Sequence, residues 1–212
     1  MNSLTTFYIV RHGESMGNLD FEMERASLKA GGAGTDLTTE GRKQSEEVAK
    51  KLRHVQFDAI FSSDLLRTKR TAEIIALERK LEITALEVLR ERNFGKYVAN
   101  TKELQDEMKP ILEKLTDTEK MRYRHKPDME TQEEAAVRLL TFLRETAFAY
   151  PGKTILVTNH GNTMRSLLIQ LGFAKYDELP SRSILNTGYY VLQSDGVEFF
   201  LIDTHRVVFH KK

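Results

Sequence analysis

Short, β-prone apolar runs alternate with helical patterns along this chain, and the alternation restricts the fold before any other property is considered. The runs at 7–10 and 154–158 are almost uninterrupted, as in strands buried on both faces, and 57–61 is a further short run. Between the first two lies 16–36, with glycines at 31, 32 and 34, which reads as a flexible loop with at most a helical turn before it. Thr38 or Thr39 then caps a helix to about residue 54, with Val48, Ala49 and Leu52 facing inward. Ser62, Ser63 and Asp64 offer cap chemistry for a helix through 76, packed by Leu65, Leu66, Thr68, Ala72 and Ile75. A strand is expected over 81–88, helices over 104–115 and 131–150, another from 161 to about 171, and terminal strands at 189–192, 198–202 and 206–209. With no repeat or linker in sight, the pattern predicts a single α/β domain, 1–212: a three-layer sandwich with a mostly parallel sheet and helices on both faces.

Composition narrows the function. The 212 residues, 40% of them hydrophobic, suffice for one real core. Lys and Arg total 32 against 31 Asp and Glu, so no bulk charge attracts nucleic acid or an anionic membrane, and any anion site must be built locally. No apolar run approaches the roughly 20 residues of a membrane helix, and the first ten residues lack the basic and apolar regions of a secretion signal. Without Cys there is no disulfide, thiolate nucleophile or Cys-ligated metal. A cytoplasmic enzyme or binding domain is expected, with no nucleic-acid or membrane partner; edge strands and terminal segments leave a homodimer open.

Ligands of open α/β sheets bind at the carboxyl ends of the strands. Here those ends carry Arg11-His12-Gly13-Glu14-Ser15, then Arg67 in the first turn after the second strand, Arg90-Glu91-Arg92-Asn93-Phe94-Gly95, and His160-Gly161. Gathered together, they place two His, two Arg and one Glu in one pocket. Arg forks bind phosphate oxygens and keep their proton. A neutral, oriented imidazole attacks phosphorus, and a second can donate to a non-bridging oxygen. The helix after His160 adds backbone N–H groups and a positive dipole end. A Glu held among apolar residues can protonate a leaving alkoxide.

Rival readings are weaker. Arg11 beside His12 opposes a divalent ion, and no His-x-x-x-His spacing occurs, so no metal is expected. Ser62 and Ser63 lack a Gly-x-Ser-x-Gly setting and read as helix caps. His54, His125, His205 and His210 read as structural, Glu14 as a surface charge or an orienter of Arg11, and 120–126 as a solvated basic face.

Five ordered blocks then resemble the histidine phosphatase (phosphoglycerate mutase-like) superfamily: Arg11-His12-Gly13-Glu14-Ser15 with Asn18, Leu37 to Gly41, Ser62 to Ala72, Glu91 to Gly95, and His160 to Arg165. The resemblance implies a cofactor-free phosphohistidine mechanism on a small phosphorylated substrate. It makes His12 the nucleophile, makes Arg11, Arg67 and His160 the phosphoryl pocket with Asn18 and Gly161 assisting, and makes Glu91 the acid and base. Asn162 and Lys102 resemble the mutase pattern. The short segment 102–130, in which Arg122 and Arg124 are not adjacent, departs from the glycolytic mutases and favours a phosphatase. A mutase is the alternative, and a non-catalytic phospho-ligand module the reading from another class.

Overall fold

The computed structural model of the protein describes residues 3–29, 32–77, 79–95 and 102–210. Its elements follow in the order β1 (Thr5–Arg11), α1 (Met16–Leu19), α2 (Phe21–Lys29), α3 (Thr39–Lys51), β2 (Ala59–Ser63), α4 (Leu66–Ala76), β3 (Ile83–Leu86), a 3-10 turn (Glu87–Leu89), α5 (Lys102–Leu112), α6 (Asp117–Arg122), α7 (Gln132–Ala149), β4 (Thr154–Asn159), α8 (Gly161–Gln170), β5 (Ile184–Ser194) and β6 (Phe199–Val207). Among the described residues, six strands form one sheet in the order β3-β2-β4-β1-β5-β6. The first four run parallel, and β5 and β6 are antiparallel, so the expected mostly parallel α/β sheet is present.

Strand alternation sorts the core into two layers. Phe7, Ile9, Ile155 and Val157 point to one face and pack with Leu139 and Leu143 of α7 and Met164, Leu167 and Leu168 of α8. Val10, Ile60 and Leu156 point to the other and pack with Val48 of α3, Leu52 just after it, and Ala72 and Ile75 of α4. A smaller cluster of Phe94, Leu104, Met108 and Met129 anchors the segment after Glu91.

Three expectations are corrected. Residues 16–29 hold two helices where a loop with at most a helical turn is expected, because buried Glu24 ties α2 to Thr35 and Arg67, while 32–36 is irregular as expected. The runs at 198–202 and 206–209 belong largely to one strand, β6, whose polar Asp203, Thr204 and His205 break the apolar pattern while the backbone keeps pairing with β5. In 120–126, Lys120 is buried and pairs at 3.0 Å with the half-exposed Asp177, so that end packs against the protein instead of lying free in solvent. Helix α3 starts as expected, its Thr38 hydroxyl accepting from Gly41 N–H at 2.9 Å.

Candidate active site

The register of β1 on β4 sets the site. Arg11 pairs with Asn159, so His12 and His160 leave neighbouring parallel strands at one level. Their rings lie 5.2 Å apart, edge to face, and both are buried. His12 Nδ1 is 2.7 Å from the Gly13 carbonyl. A carbonyl only accepts, so Nδ1 carries the proton and the Nε2 lone pair is directed outward. Gly13 is required there, since a Cβ would lie 2.3 Å from the Gly41 carbonyl oxygen.

Arg67 faces that lone pair. Its Nε donates to His12 Nε2 at 3.2 Å, its Nη2 to His160 Nδ1 at 3.3 Å, and its Nη1 to Glu24 Oε1 at 2.5 Å. Since His160 Nδ1 accepts, its Nε2 holds the proton and donates to Ser63 Oγ at 3.0 Å. Ser63 therefore serves an imidazole, correcting the cap reading; the residue preceding α4 is Leu65, whose side chain makes no cap. Burial, reinforced by the Arg67 charge, holds both imidazoles well below the usual histidine range, so both are neutral at pH 7.

Arg11 crosses under Gly161, where a Cβ would meet its Nε at 3.2 Å. Its Nη1 donates to the Ile184 carbonyl at 2.6 Å. Burial pulls its pKa down to about 10, with nearby Glu91 opposing and Arg67 and Arg182 adding, which still leaves it charged at pH 7. Arg11 Nε and Ser15 Oγ are buried polar atoms without a hydrogen-bond partner. Both residues line a cavity of ≈ 450 Å³ that also contains His12, Asn18, Glu24, Arg67, Glu91, Gly161 and Asn162. Unpaired buried donors beside a cavity are what an incoming oxyanion would satisfy.

Glu91 is not surrounded by apolar groups. Its Oε1 accepts from Thr163 N–H (2.9 Å) and Oγ1 (2.8 Å) and from Arg92 N–H (2.8 Å), and its Oε2 from Asn162 N–H (3.1 Å) and Nδ2 (3.2 Å). The first turn of α8 thus holds this carboxyl beside the histidines, and Asn162 orients it. Asn18 Oδ1 accepts from Ser15 N–H at 3.1 Å and Asn186 Nδ2 at 3.3 Å. Glu14 accepts from Thr38 Oγ1 at 2.8 Å, which makes it a clamp on α3. Lys102 opens α5, but its side chain lies outside the described residues. Arg11, His12, Arg67, Glu91, His160, Asn18, Gly161 and Asn162 therefore all reach one place, together with Ser15, Glu24, Ser63, Arg182 and Asn186, which sequence reasoning did not assign to it. Among the described residues, no group of three His, Asp or Glu is arranged to hold a metal ion, and no helix is long and apolar enough to cross a membrane.

The chain is 31% identical over 183 residues to the "Uncharacterized phosphatase PhoE" of Bacillus subtilis (strain 168), covering 86% of this chain and 85% of that one. The solved structure of Bacillus stearothermophilus YhfR superposes with a TM-score of 0.75 at 25% identity, over 96% of this chain and 99% of the other. A phosphoserine phosphatase of Entamoeba histolytica, solved with 3-phosphoglyceric acid, shares the fold with a TM-score of 0.68 at 22% identity, over 94% and 96% of the two chains. The sequence model of the histidine phosphatase superfamily (branch 1) matches residues 7–205, and the chain belongs to that superfamily.

Proposed function

We propose that this protein is a phosphatase of small phosphomonoesters working through a phosphohistidine on His12. The observation that carries the reading is the tautomer of His12, whose protonated Nδ1 on Gly13 leaves the lone pair on Nε2, shared with Arg67 Nε–H until the ester's oxygens draw that guanidinium away, to attack phosphorus. Nε2 forms a bond to phosphorus as the ester P–O bond breaks, and Glu91, which first takes up a proton from solvent, gives it to the departing oxygen. Arg11, Arg67, Ser15 and the N-terminal turn of α8 hold the non-bridging oxygens, and the neutral His160 donates to one of them after releasing Ser63. Water then attacks the phosphohistidine, Glu91 takes its proton, and inorganic phosphate leaves with His12 restored. Positioning and charge stabilisation supply most of the acceleration in such transfers.

Hydrolysis is preferred to mutase chemistry because the cavity adjoins a second one of ≈ 870 Å³ that shares Glu24, Arg67, Glu91 and Phe94. A mutase must keep its intermediate from water, and a cleft this wide admits it. The name of the PhoE relative supports the same reading.

The test is a panel of phosphomonoesters, with and without phosphoglycerates and a bisphosphate primer. Phosphate release with an acid-labile, base-stable label, both abolished in His12→Ala, is the expected result. Isomer formation without phosphate release would make the protein a mutase. A wild-type chain that binds esters and turns none over would make it a binding module.

A further inference from the structure

The His12 tautomer depends on the direction of the Gly13 carbonyl. Glycine has the least constrained backbone of any residue, so that direction has to be fixed from outside the turn. Two helices do so. From α4, Thr71 Oγ1 accepts the Gly13 N–H at 3.1 Å and donates to the Arg67 carbonyl at 2.8 Å. From α3, Gln44 Oε1 accepts the Glu14 N–H at 3.0 Å. That N–H and the Gly13 carbonyl belong to one peptide group, so Gln44 and His12 hold its two ends. Close packing of α3 makes the reach possible: a Cβ on Gly41 would run into the Glu14 carbonyl oxygen, which instead accepts the Thr38 N–H at 3.0 Å. Gln44 stands three residues further along the same side of the helix.

The neighbours of Gln44 settle which way its amide points. A backbone N–H only donates and a carboxylate only accepts. Oε1 therefore faces Glu14, and Nε2 donates to the exposed Glu40 Oε1 at 3.3 Å. An unbroken line of hydrogen bonds results: Glu40 carboxylate, Gln44 amide, the 13–14 peptide, and His12 Nδ1–H. Its links shorten towards the imidazole, from 3.3 to 3.0 to 2.7 Å. Hydrogen bonds in series polarise one another. An acceptor on the Glu14 N–H makes the Gly13 oxygen a stronger acceptor, and a stronger pull on Nδ1–H makes Nε2 a better nucleophile. Burial and the Arg67 and Arg11 charges lower the basicity of His12, and the Gly13 hydrogen bond works against them.

Resting on the phosphohistidine reading, we infer that Gln44 is a positioning residue for the nucleophile: through the 13–14 peptide it holds His12 in its Nδ1-protonated form and stabilises the imidazolium that exists once Nε2 carries the phosphoryl group. Gln44 is half-buried in the wall of the cavity, but both ends of its amide are engaged, so it acts on His12 and not on the ester. The two half-reactions respond differently. A firm hold on Nδ1–H favours arrival of the phosphoryl group and does nothing to speed its departure, in which the ring loses positive charge.

The test begins with 15N-histidine-labelled protein, in which the His12 Nδ1–H resonance is the one lost in His12→Ala. Gln44→Met matches the length without an acceptor, and Gln44→Asn is one methylene too short. Each should move that resonance upfield, and Gln44→Glu, which restores an acceptor, should bring it back; its added charge is read in KM. Rapid-quench kinetics with p-nitrophenyl phosphate then separates the steps. In the Met and Asn variants the acid-labile label should form about tenfold more slowly, decay no more slowly than in the wild type, and leave KM unchanged. A resonance that stays in place in whichever of the two variants folds overturns the inference. So does a loss confined to KM, which would make Gln44 a substrate contact, or equal slowing of both steps, which would make it scaffold. If the wild-type chain forms no label, the phosphatase reading falls, and the resonance alone decides whether Gln44 orients His12.

Discussion

Glu24 Oε1 lies 2.5 Å from Arg67 Nη1, although Glu24 belongs to α2, well away from the strand ends that supply the other catalytic candidates. Both side chains are buried, at 5% and 10% exposure, and Glu24 Oε2 is held by Thr35 N–H and Oγ1 at 2.8 and 2.5 Å. Arg67 is thereby fixed along all three of its edges, by an imidazole, a second imidazole and a carboxylate.

Removing that carboxylate should unbalance the pocket. Glu24→Gln leaves a buried guanidinium uncompensated, and the expected loss is about 3 kcal/mol of unfolding free energy. An anion binding there would replace the missing charge, so inorganic phosphate should raise the variant's Tm more than that of the wild type. Urea and thermal melts with and without phosphate measure both. Wild-type stability together with an unaltered phosphate response would contradict the account of Arg67.

Ser63→Ala removes the acceptor of His160 Nε2–H. A buried donor left without a partner costs about 1–3 kcal/mol. The ring can then adopt the other tautomer, which turns an N–H toward Arg67 and spoils the acceptor at Nδ1. Stability and kcat should fall together. A variant that melts earlier but keeps its kcat would show that the tautomer is unimportant to turnover.

For Glu91→Gln the expected loss is about 10²–10⁴ in rate on alkyl phosphates. It should be smaller on aryl phosphates, whose phenolate departs without help. The Gln amide keeps one oxygen, so its NH2 faces either the Asn162 N–H or the Arg92 and Thr163 N–H groups, a donor against donors on that side. Equal slowing of both ester types would remove the proton-transfer role.

The two imidazoles make stability depend on acid. Their native pKa values are lowered by burial and by Arg67, so below the ordinary value near 6.5 the unfolded chain takes up protons that the native chain refuses. Stability is therefore fully present above that pH and declines as pH falls, by up to about 1.4 kcal/mol per pH unit for each imidazole. Denaturant titrations from pH 7.5 to 5 measure the slope, which should flatten in a His160→Gln variant. Activity that depends on neutral His12 should persist below pH 6.5; an acid limb centred at the ordinary histidine value would contradict the shielding.

The histidines, Arg11, Arg67 and Glu91 were legible because strand ends carry ligand chemistry and short apolar runs mark where strands stop. Glu24 was not: it sits in a charged, glycine-flanked stretch, and its buried carboxylate ties the helix in place through the ion pair with Arg67 and the hydrogen bonds from Thr35. Ser63 looked like a cap because the same hydroxyl that accepts from Leu65 N–H also accepts from His160, 97 residues away. The polar outer residues of β6 hid one continuous edge strand, because backbone pairing with β5 leaves no local mark.

The shared rung of Arg11 and Asn159 also bears on how chains of this kind can vary in length. One residue gained or lost inside either strand would turn its imidazole to the opposite side of the sheet, and the partner strand could not compensate. Tolerated insertions should gather instead at places such as Gly172, beyond the end of α8, where nothing stands within 4 Å of a side chain's first carbon.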